Sequence, residues 1–587
     1  MSSVGRQLRP SDPEASQELY PSYMMEDFKI AAVVPAATTS TFIWTWLIPA
    51  VLTLTLATRA YTQIWSTFRT LDSNAGTKSI SRLPYWIPYF GTTPLFALRP
   101  QSSLLTLART FQSGVFALRL SGQDYIVITL PALQAQLTDP ATPISTRLYT
   151  SLRSRHFFNN LQATDNTLSR ISTALETYSN DAARSTKLTR LLEAHAYNFI
   201  SPANSWVDQA QWERTAEVTV LSESPTLSVS ASLATLVKDF SSHILLSTLL
   251  STSFIEANPG FIGDFFTFSS KYAVFMTGLP YWLGPGLGPP ALARERCLLT
   301  LDGLVAAIIA DIDGRSMQGT GAGMLYDLED VHPAIWDVVR QARSENSRVR
   351  TRTIACEVLE IIWHTTFSST AMVTWMLIHL FSDEDSNQIA LQSIRDESKS
   401  IVEVEKPKPT GLPFEDPPRL KFNTDFSDKT QGAWPNLKSA LLEVQRLETE
   451  PEEYLTVTND FVLQGNPTSG ASEKFQLKTG DHIYAAYGAT NKDSRFWDRP
   501  KRFAPKRFIL KQDDNAKESV VKRLPRKRSA HATSLEADVL CIVAALLAFY
   551  DISSLDNSGL AHPGTNTVAG IGIPKNATAK VTRRPIV

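Results

Sequence analysis

The chain has 587 residues, and its 57 Lys and Arg residues nearly balance 58 Asp and Glu residues, giving a formal net charge of -1. This balance argues against a nucleic-acid-binding protein, which usually carries a basic excess. An apolar content of 43% argues against global disorder, and the length fits either several domains or one large enzyme. Three cysteines are too few for a disulfide framework or a zinc site and are typical of a reducing, cytosol-facing location.

The N-terminal region predicts a membrane anchor. Residues 1–29 are polar and mixed in charge, and residues 1–38 are expected to be disordered. Residues 39–59 carry no charge before Arg59 and are long enough to span a bilayer. Basic residues after this run predict a cytosolic C-terminal body by the positive-inside rule. A buried core helix is the alternative. Residues 60–92 then predict a proline-rich hinge, in which the aromatic segment Pro84–Gly91 leads the chain off the membrane surface.

The middle of the chain predicts one hairpin followed mainly by helices. Val115–Leu130 reads as two strands around turn residues at Ser121–Asp124. Val349–Phe381 is the longest helical candidate, and because it is apolar nearly all round we expect it to be buried. Its centre, His364–Thr370, carries six polar side chains, which indicate either a bent, inert core helix or a functional site. The proline- and charge-rich residues 398–431 predict an exposed loop insertion.

Helix and strand patterns then return in the last third of the chain. Trp434–Leu447 predicts a helix on which Glu443 and Arg446, three residues apart, lie on one face and close enough to pair. Tyr454–Leu463 and Phe475–Tyr484 predict strands.

A loop with an unusual composition follows these strands. Phe496–Phe508 combines four aromatic rings with five cationic side chains, and Pro500 and Pro505 forbid a regular helix. So many aromatic rings predict that this loop is packed, with some arginines paired, rather than a solvated basic run. An apolar helix is expected at Leu535–Phe549, and residues 553–587 are expected to form a flexible tail.

Taken together and in this order, four features resemble the cytochrome P-450 family of haem-thiolate monooxygenases. They are a proline hinge behind an N-terminal anchor, a helix with a polar centre at the place of the family's oxygen-binding helix, the Glu443-x-x-Arg446 pair, and Pro500–Phe508. The last segment fits the family's Pro-x-x-Phe-x-Pro-x-Arg-Phe loop at every fixed position. The resemblance covers the chain from about residue 40 to 552.

The resemblance implies a mainly α-helical fold with small β-sheets, the cytochrome P-450 fold, in residues 93–552 behind a single transmembrane helix. It further implies a haem cofactor, NADPH-cytochrome P-450 reductase as electron donor, and an endoplasmic reticulum location with the catalytic body in the cytosol. The substrate would be a lipophilic small molecule such as a terpenoid, sterol or polyketide, as is common in fungal and other eukaryotic secondary metabolism. The segment Gly278–Leu283 and Trp375 resemble the branch that contains sterol 7-hydroxylases and prostacyclin synthase.

The resemblance also assigns roles to individual residues. Ser369 and Thr370 would help to deliver protons to iron-bound oxygen. Glu443 and Arg446 would form a charge network with an arginine of the proline loop, here expected to be Arg502, and this network would hold the haem-side scaffold.

The axial ligand departs from the family's pattern. The family's cysteine lies in a glycine-rich loop just before the last long helix, but residues 509–535 contain neither Cys nor Gly. Cys541 is the only downstream cysteine and lies inside the predicted helix, where it loses the donors that stabilise a thiolate. His531 is nearer to the expected place, but it would not give thiolate chemistry. Three readings stay open: a monooxygenase whose gene model lacks the loop, a catalytically inactive haem-free protein, and an isomerase that needs no reductase.

Overall fold

The computed structural model describes residues 38–69, 78, 80–88, 91–92, 100–111, 113–120, 122–276, 278, 286–315, 326–346, 348–382, 385–406, 417–423, 434–449, 452–465, 473–510, 520–521, 530–556 and 558–585. Two compact units divide between Thr58 and Arg59. The predicted disordered N-terminus therefore lies almost wholly outside the described residues, as does most of the segment in which the family's cysteine loop is expected.

Helices predominate, and the strands are short. The α-helices are α1 Thr38–Arg69, α2 Pro100–Thr110, α3 Pro131–Leu137, α4 Arg147–His156, α5 Asp165–Asn180, α6 Ala182–His195, α7 Gln211–Thr215, α8 Leu233–Leu250, α9 Thr252–Ala257, α10 Phe261–Ser269, α11 Tyr272–Met276, α12 Gly288–Ile312, α13 Pro333–Glu345, α14 Thr351–Ile362, α15 Ser368–Leu380, α16 Asp385–Ser398, α17 Pro435–Glu448, α18 Tyr487–Asn491 and α19 Ala530–Phe549. The strands are β1 Val115–Leu120, β2 Gln123–Ile128, β3 Ile144–Ser145, β4 Thr219–Ser222, β5 Ser228–Ser232, β6 Val402–Glu405, β7 Arg419–Phe422, β8 Glu452–Val457, β9 Phe461–Gln464, β10 Lys474–Leu477, β11 His482–Ala486, β12 Ile509–Leu510, β13 Val520–Val521, β14 Tyr550–Ser553, β15 Thr565–Val568, β16 Ile571–Pro574 and β17 Thr578–Arg583.

The described strands form small, separate sheets, so the predicted class of a mainly helical chain with small sheets is confirmed. A five-stranded sheet has the order β1-β2-β11-β8-β3, and a four-stranded sheet has the order β14-β17-β5-β4. The predicted hairpin is also confirmed: β1 and β2 are antiparallel, and Gly122 turns the chain with φ at +84°. Part of the predicted hinge lies along β1, where Leu83 donates its N–H to the carbonyl oxygen of Ala117 at 2.8 Å.

The long helix predicted at Val349–Phe381 is present as α14, a π-helical turn at Trp363–Phe367, and α15. Its first part belongs to a hydrophobic cluster shared with α12 and α13, and its second part to another cluster shared with α8, α17 and α19. Ser368–Thr370 falls between the two sets of core residues. The polar centre that the sequence indicates is therefore the junction between two hydrophobic clusters.

The first helix lies where the anchor is predicted. Apolar side chains along α1, such as Ile48 and Leu52, are more than half exposed. By length and mean hydropathy, Leu233–Leu250 is the one helix among the described residues that could cross a membrane, and 89% of it is buried as in a core helix. Membrane insertion of residues 39–59 therefore stays a prediction.

The flexible tail predicted at residues 553–587 is wrong. Strand β17 lies between β14 and β5 and pairs with both, and β15 and β16 form a hairpin. Ala579 and Val581 alternate inward and are fully buried. The order arises because both edges of β17 find hydrogen-bonding partners, one of which lies far upstream in the chain.

Two further predictions need adjustment. The insertion expected at 398–431 contains a hairpin of β6 and β7, although residues 407–416 and 424–433 lie outside the described part. The last helix starts at Ala530 rather than Leu535.

The buried C-terminal strand generates a stability prediction. Val581→Ala should lower the free energy of unfolding by roughly 2 kcal/mol, because it leaves a cavity in a fully packed sheet. Leu555→Ala is the matched control, since Leu555 lies in the same predicted tail but is 53% exposed. Urea unfolding of the full chain measures both; equal midpoints for the two variants would show that the segment is loose.

Candidate functional site

A buried ion pair lies at the centre of the candidate site. Glu443 and Arg446 of α17 have fully buried side chains and form two parallel hydrogen bonds, from Nε to Oε2 and from Nη2 to Oε1, both at 2.8 Å. Helical spacing of three residues puts both side chains on one face. The predicted pair is therefore confirmed, and its bidentate geometry is the stronger form of such contacts.

The third member of the network is Arg507, so the prediction of Arg502 is wrong. Arg507 Nε donates to the two Glu443 oxygens at 3.0 and 3.1 Å, and the backbone N–H of Ala504 adds a further donor at 3.0 Å. A turn closed by the Arg502 N–H directs the carbonyl oxygen of Arg502, rather than its guanidinium, towards Arg446 at 3.4 Å. A second turn, from Ala504 to Arg507, brings the Arg507 side chain back to the carboxylate.

Arg446 also fixes the proline loop by its other nitrogen. Its Nη1 donates to the carbonyl oxygens of Asn491 and Pro500, each at 2.7 Å, and its guanidinium lies 5.3 Å from the Trp497 ring centre. A buried charge is tolerated only when its donors are satisfied in this way. The loop is thus packed and paired, as its composition predicts.

The polar centre of the long helix is bonded internally. Ser369 donates its hydroxyl to the carbonyl oxygen of Thr365 and Thr370 donates to Phe367, both at 3.1 Å. These back-bonds use the hydroxyl protons and leave the oxygens able to accept. Thr370 lines a cavity of about 330 Å³, whereas Ser369 does not. Of the two predicted proton-delivery residues, only Thr370 reaches this cavity.

The same helix carries a buried acid that the sequence reasoning missed. Glu360 lies one turn before the π-helical turn, receives hydrogen bonds from Arg153 at 3.2 and 3.3 Å, and lies 4.0 Å from Nε2 of His364. Burial raises the pKa of Glu360, and the charge of Arg153 opposes part of that rise. Two glutamates three residues apart, Glu357 and Glu360, in an apolar helix were the sequence signal, because buried carboxylates require partners.

The structure does not support Cys541 as a metal ligand. Its side chain is 1% exposed inside α19, and burial raises the pKa of the thiol well above its usual range. Cys297 and Cys356 are likewise buried in helices, and burial raises the pKa of each thiol. Backbone donors and a helix N-terminus stabilise a thiolate, but all three cysteines lie inside helices rather than in a loop before one.

A second polar cluster joins three distant segments. His379 Nε2 lies 2.9 Å from Glu448 Oε1, and His562 Nε2 lies 3.5 Å from the same oxygen. The three ligand atoms lie within 4.8 Å of one another, which is compact enough for a metal ion. However, the Gly564 N–H donates to His562 Nδ1 at 3.1 Å, which leaves the ring proton on Nε2, directed at Glu448. The cluster therefore acts as a hydrogen-bonded clasp that holds the C-terminal segment.

No protein-family model matches the chain, and no curated protein is significantly similar to it.

The finding that Arg507, rather than Arg502, pairs with Glu443 yields a prediction for two variants. Arg507→Met should lower the free energy of unfolding by about 3 kcal/mol, because it leaves a buried carboxylate short of a charged partner. Arg502→Met should cost less than about 1 kcal/mol, since Arg502 is exposed and its backbone contact survives the change. Urea unfolding tests both variants, and a larger effect at Arg502 would contradict the observed geometry.

The clasp predicts an acid-dependent stability. Burial alone would raise the pKa of Glu448, but the hydrogen bonds from His379 and His562 lower it to about 2. A carboxylate with a depressed pKa stabilises the fold above its unfolded pKa of about 4.5 and loses that contribution as the pH falls towards 2. We expect roughly 3 kcal/mol in wild type over this window.

Urea unfolding between pH 6 and pH 2 measures this contribution. The stability gap between wild type and Glu448→Gln should close as the pH falls, and His562→Ala, which removes one of the two donors, should show a smaller dependence on pH than wild type. A gap that stays constant across the range would show that Glu448 is not held in this way.

Proposed function

We propose that the gene encodes a cytochrome P-450-type monooxygenase of the endoplasmic reticulum membrane, which takes electrons from an NADPH-dependent reductase and oxidises a lipophilic small molecule. The single observation that carries the proposal is the three-member network of Glu443, Arg446 and Arg507. Arg507 occupies the fixed arginine of the Pro-x-x-Phe-x-Pro-x-Arg-Phe loop, and Glu443 and Arg446 occupy the Glu-x-x-Arg positions of the helix before it. A chance Glu-x-x-Arg on a surface helix would be neither buried nor joined to that loop.

Further features support the proposal. The hinge, the hairpin, the long buried helix, the Glu-x-x-Arg helix, the proline loop and the last apolar helix occur in the family's order. The π-helical turn at Trp363–Phe367 lies at the polar centre of the long helix, and such turns are frequent at functional sites. The cavity beside Thr370 has apolar walls that suit a lipophilic molecule.

Thr370 is the residue of the polar centre that could contact such a molecule. It presents a hydroxyl oxygen at the cavity, with its proton donated into the helix. Glu360 is the buried acid of the same helix; it lies 4.0 Å from His364, is paired with Arg153, and is ten residues before Thr370.

The donor set does not fit a thiolate-ligated haem. All three cysteines are buried within helices, and burial raises the pKa of each thiol. A monooxygenase therefore requires a cysteine-bearing loop before α19 that this sequence lacks. The burial of Cys541 favours a second candidate for the sequence as it stands, a haem-free protein that retains the scaffold.

The two candidates predict different results. We expect the full chain, purified, reduced and exposed to carbon monoxide, to lack the red-shifted Soret band that thiolate ligation gives, because no cysteine lies in residues 509–535. Sequencing the transcript across the codons for residues 505–540 should then recover a loop that contains Gly and Cys, and the chain with that loop should show the band.

The remaining outcomes also distinguish the monooxygenase from the haem-free scaffold. A transcript without such a loop would overturn the monooxygenase and leave the haem-free scaffold. If the 587-residue chain does show the band, the variants Cys541→Ala and Cys356→Ala identify the ligand. Loss of the band in Cys541→Ala, with the band kept in Cys356→Ala, would assign the ligand to Cys541 and refute the argument from its burial.

A further inference from the structure

The cavity beside Thr370 has a polar side as well as the apolar walls described above. It lies between the start of α8, the end of α10, the long helix and the C-terminal hairpin of β15 and β16. At about 330 Å³ it is at the small end of sites for organic ligands. It opens to solvent beside Asn576 and Lys575, which are exposed.

One part of the lining is apolar. Phe266, Phe367, Ala371, Val568 and Ile573 contribute side chains from three separate segments of the chain. A ligand with an apolar body would remove this surface from water, which is energetically favourable. An extended or aromatic hydrocarbon body fits this wall.

The other part of the lining is cationic. Lys238 and Lys575 are charged residues of the lining, and no Asp or Glu is among the described residues that form it. Lys238 Nζ lies 4.9 Å from the centre of the Phe266 ring, so its charge sits beside the apolar wall. Asp239 lies 3.3 Å from Lys238, but it also accepts a hydrogen bond from Thr215 at 2.6 Å. Because Thr215 is neutral, Asp239 still offsets the charge of Lys238, and the ammonium of Lys575 is the remaining positive charge among the described residues of the lining.

The amide of Asn576 adds a directed donor. Its Oδ1 accepts from the hydroxyl of Thr235 at 3.0 Å, which leaves the amide nitrogen as the group that can donate to a ligand. Thr370 and Thr374 donate their hydroxyl protons into the helix and so offer no competing donor. An ammonium group and an amide N–H recognise a carboxylate, and Lys575 and Asn576 supply one of each.

We propose that this cavity binds a small amphipathic carboxylate, with the apolar body against Phe266 and Phe367 and the carboxylate near Lys575 and Asn576. The inference does not depend on haem or on oxygenase activity. Its failure and the failure of the proposed function are therefore distinguishable.

Isothermal titration calorimetry of the full chain in zwitterionic lipid nanodiscs tests the proposal, with empty nanodiscs as the blank. The probes are 2-naphthoate and its uncharged isostere 2-naphthamide. We expect naphthoate to bind about tenfold more tightly than the amide at low salt, and this preference to shrink as the salt concentration rises. Equal affinities, or tighter binding of the amide, would overturn the proposal.

Variants locate the interaction. Lys575→Met should abolish most of the preference for the anion while keeping weak binding of 2-naphthamide, because methionine preserves the apolar stem. Lys271→Met is the matched control: Lys271 is exposed near the cavity but does not line it, and the preference should persist. Ile573→Trp, which fills the cavity, should remove binding of both probes. Undiminished naphthoate binding in Ile573→Trp would place the anion elsewhere and refute the site.

Discussion

The carboxylate of Glu443 is the constraint on which the candidate site depends. A buried carboxylate is costly unless every lone pair finds a donor, and here two guanidinium groups and a backbone N–H supply them. The donors come from α17 and from the proline loop, so the loop is positioned whenever the charge is satisfied. Phe503 of the loop stacks on His379 of α15, with the ring centres 4.7 Å apart, so the positioned loop also packs against the long helix.

The long helix, in turn, joins two hydrophobic clusters that face different neighbours. A regular α-helix would keep one register through both, whereas the π-helical turn at Trp363–Phe367 shifts the faces by part of a turn. The Thr365 hydroxyl donates to the carbonyl oxygen of Ile361, just before this turn, and the Ser369 hydroxyl donates to the carbonyl oxygen of Thr365 within it. The polar residues therefore have a structural role as well as the catalytic one proposed for Thr370.

Sequence patterns predicted the elements that depend on neighbouring residues. They missed the features that depend on contacts between segments far apart in the chain. The hairpin, the long helix and the Glu443–Arg446 pair depend on neighbours in sequence, so their residues predict them. The order of the C-terminal segment depends on β5, and the clasp on Glu448 depends on His379, so neither could be read from the tail itself. Arg502 and Arg507 are both arginines of one loop, and two tight turns that composition does not reveal decide which side chain reaches Glu443.

The network of Glu443, Arg446 and Arg507 explains how the proline loop is held, but not which reaction the chain performs. Protein donors alone satisfy Glu443, and Arg446 bonds only to the carboxylate and to backbone carbonyl oxygens, so these contacts need no bound cofactor. Such a network stabilises the loop whether or not a cysteine follows it. Selection for folding alone can therefore preserve this network, and the network by itself does not assign a reaction.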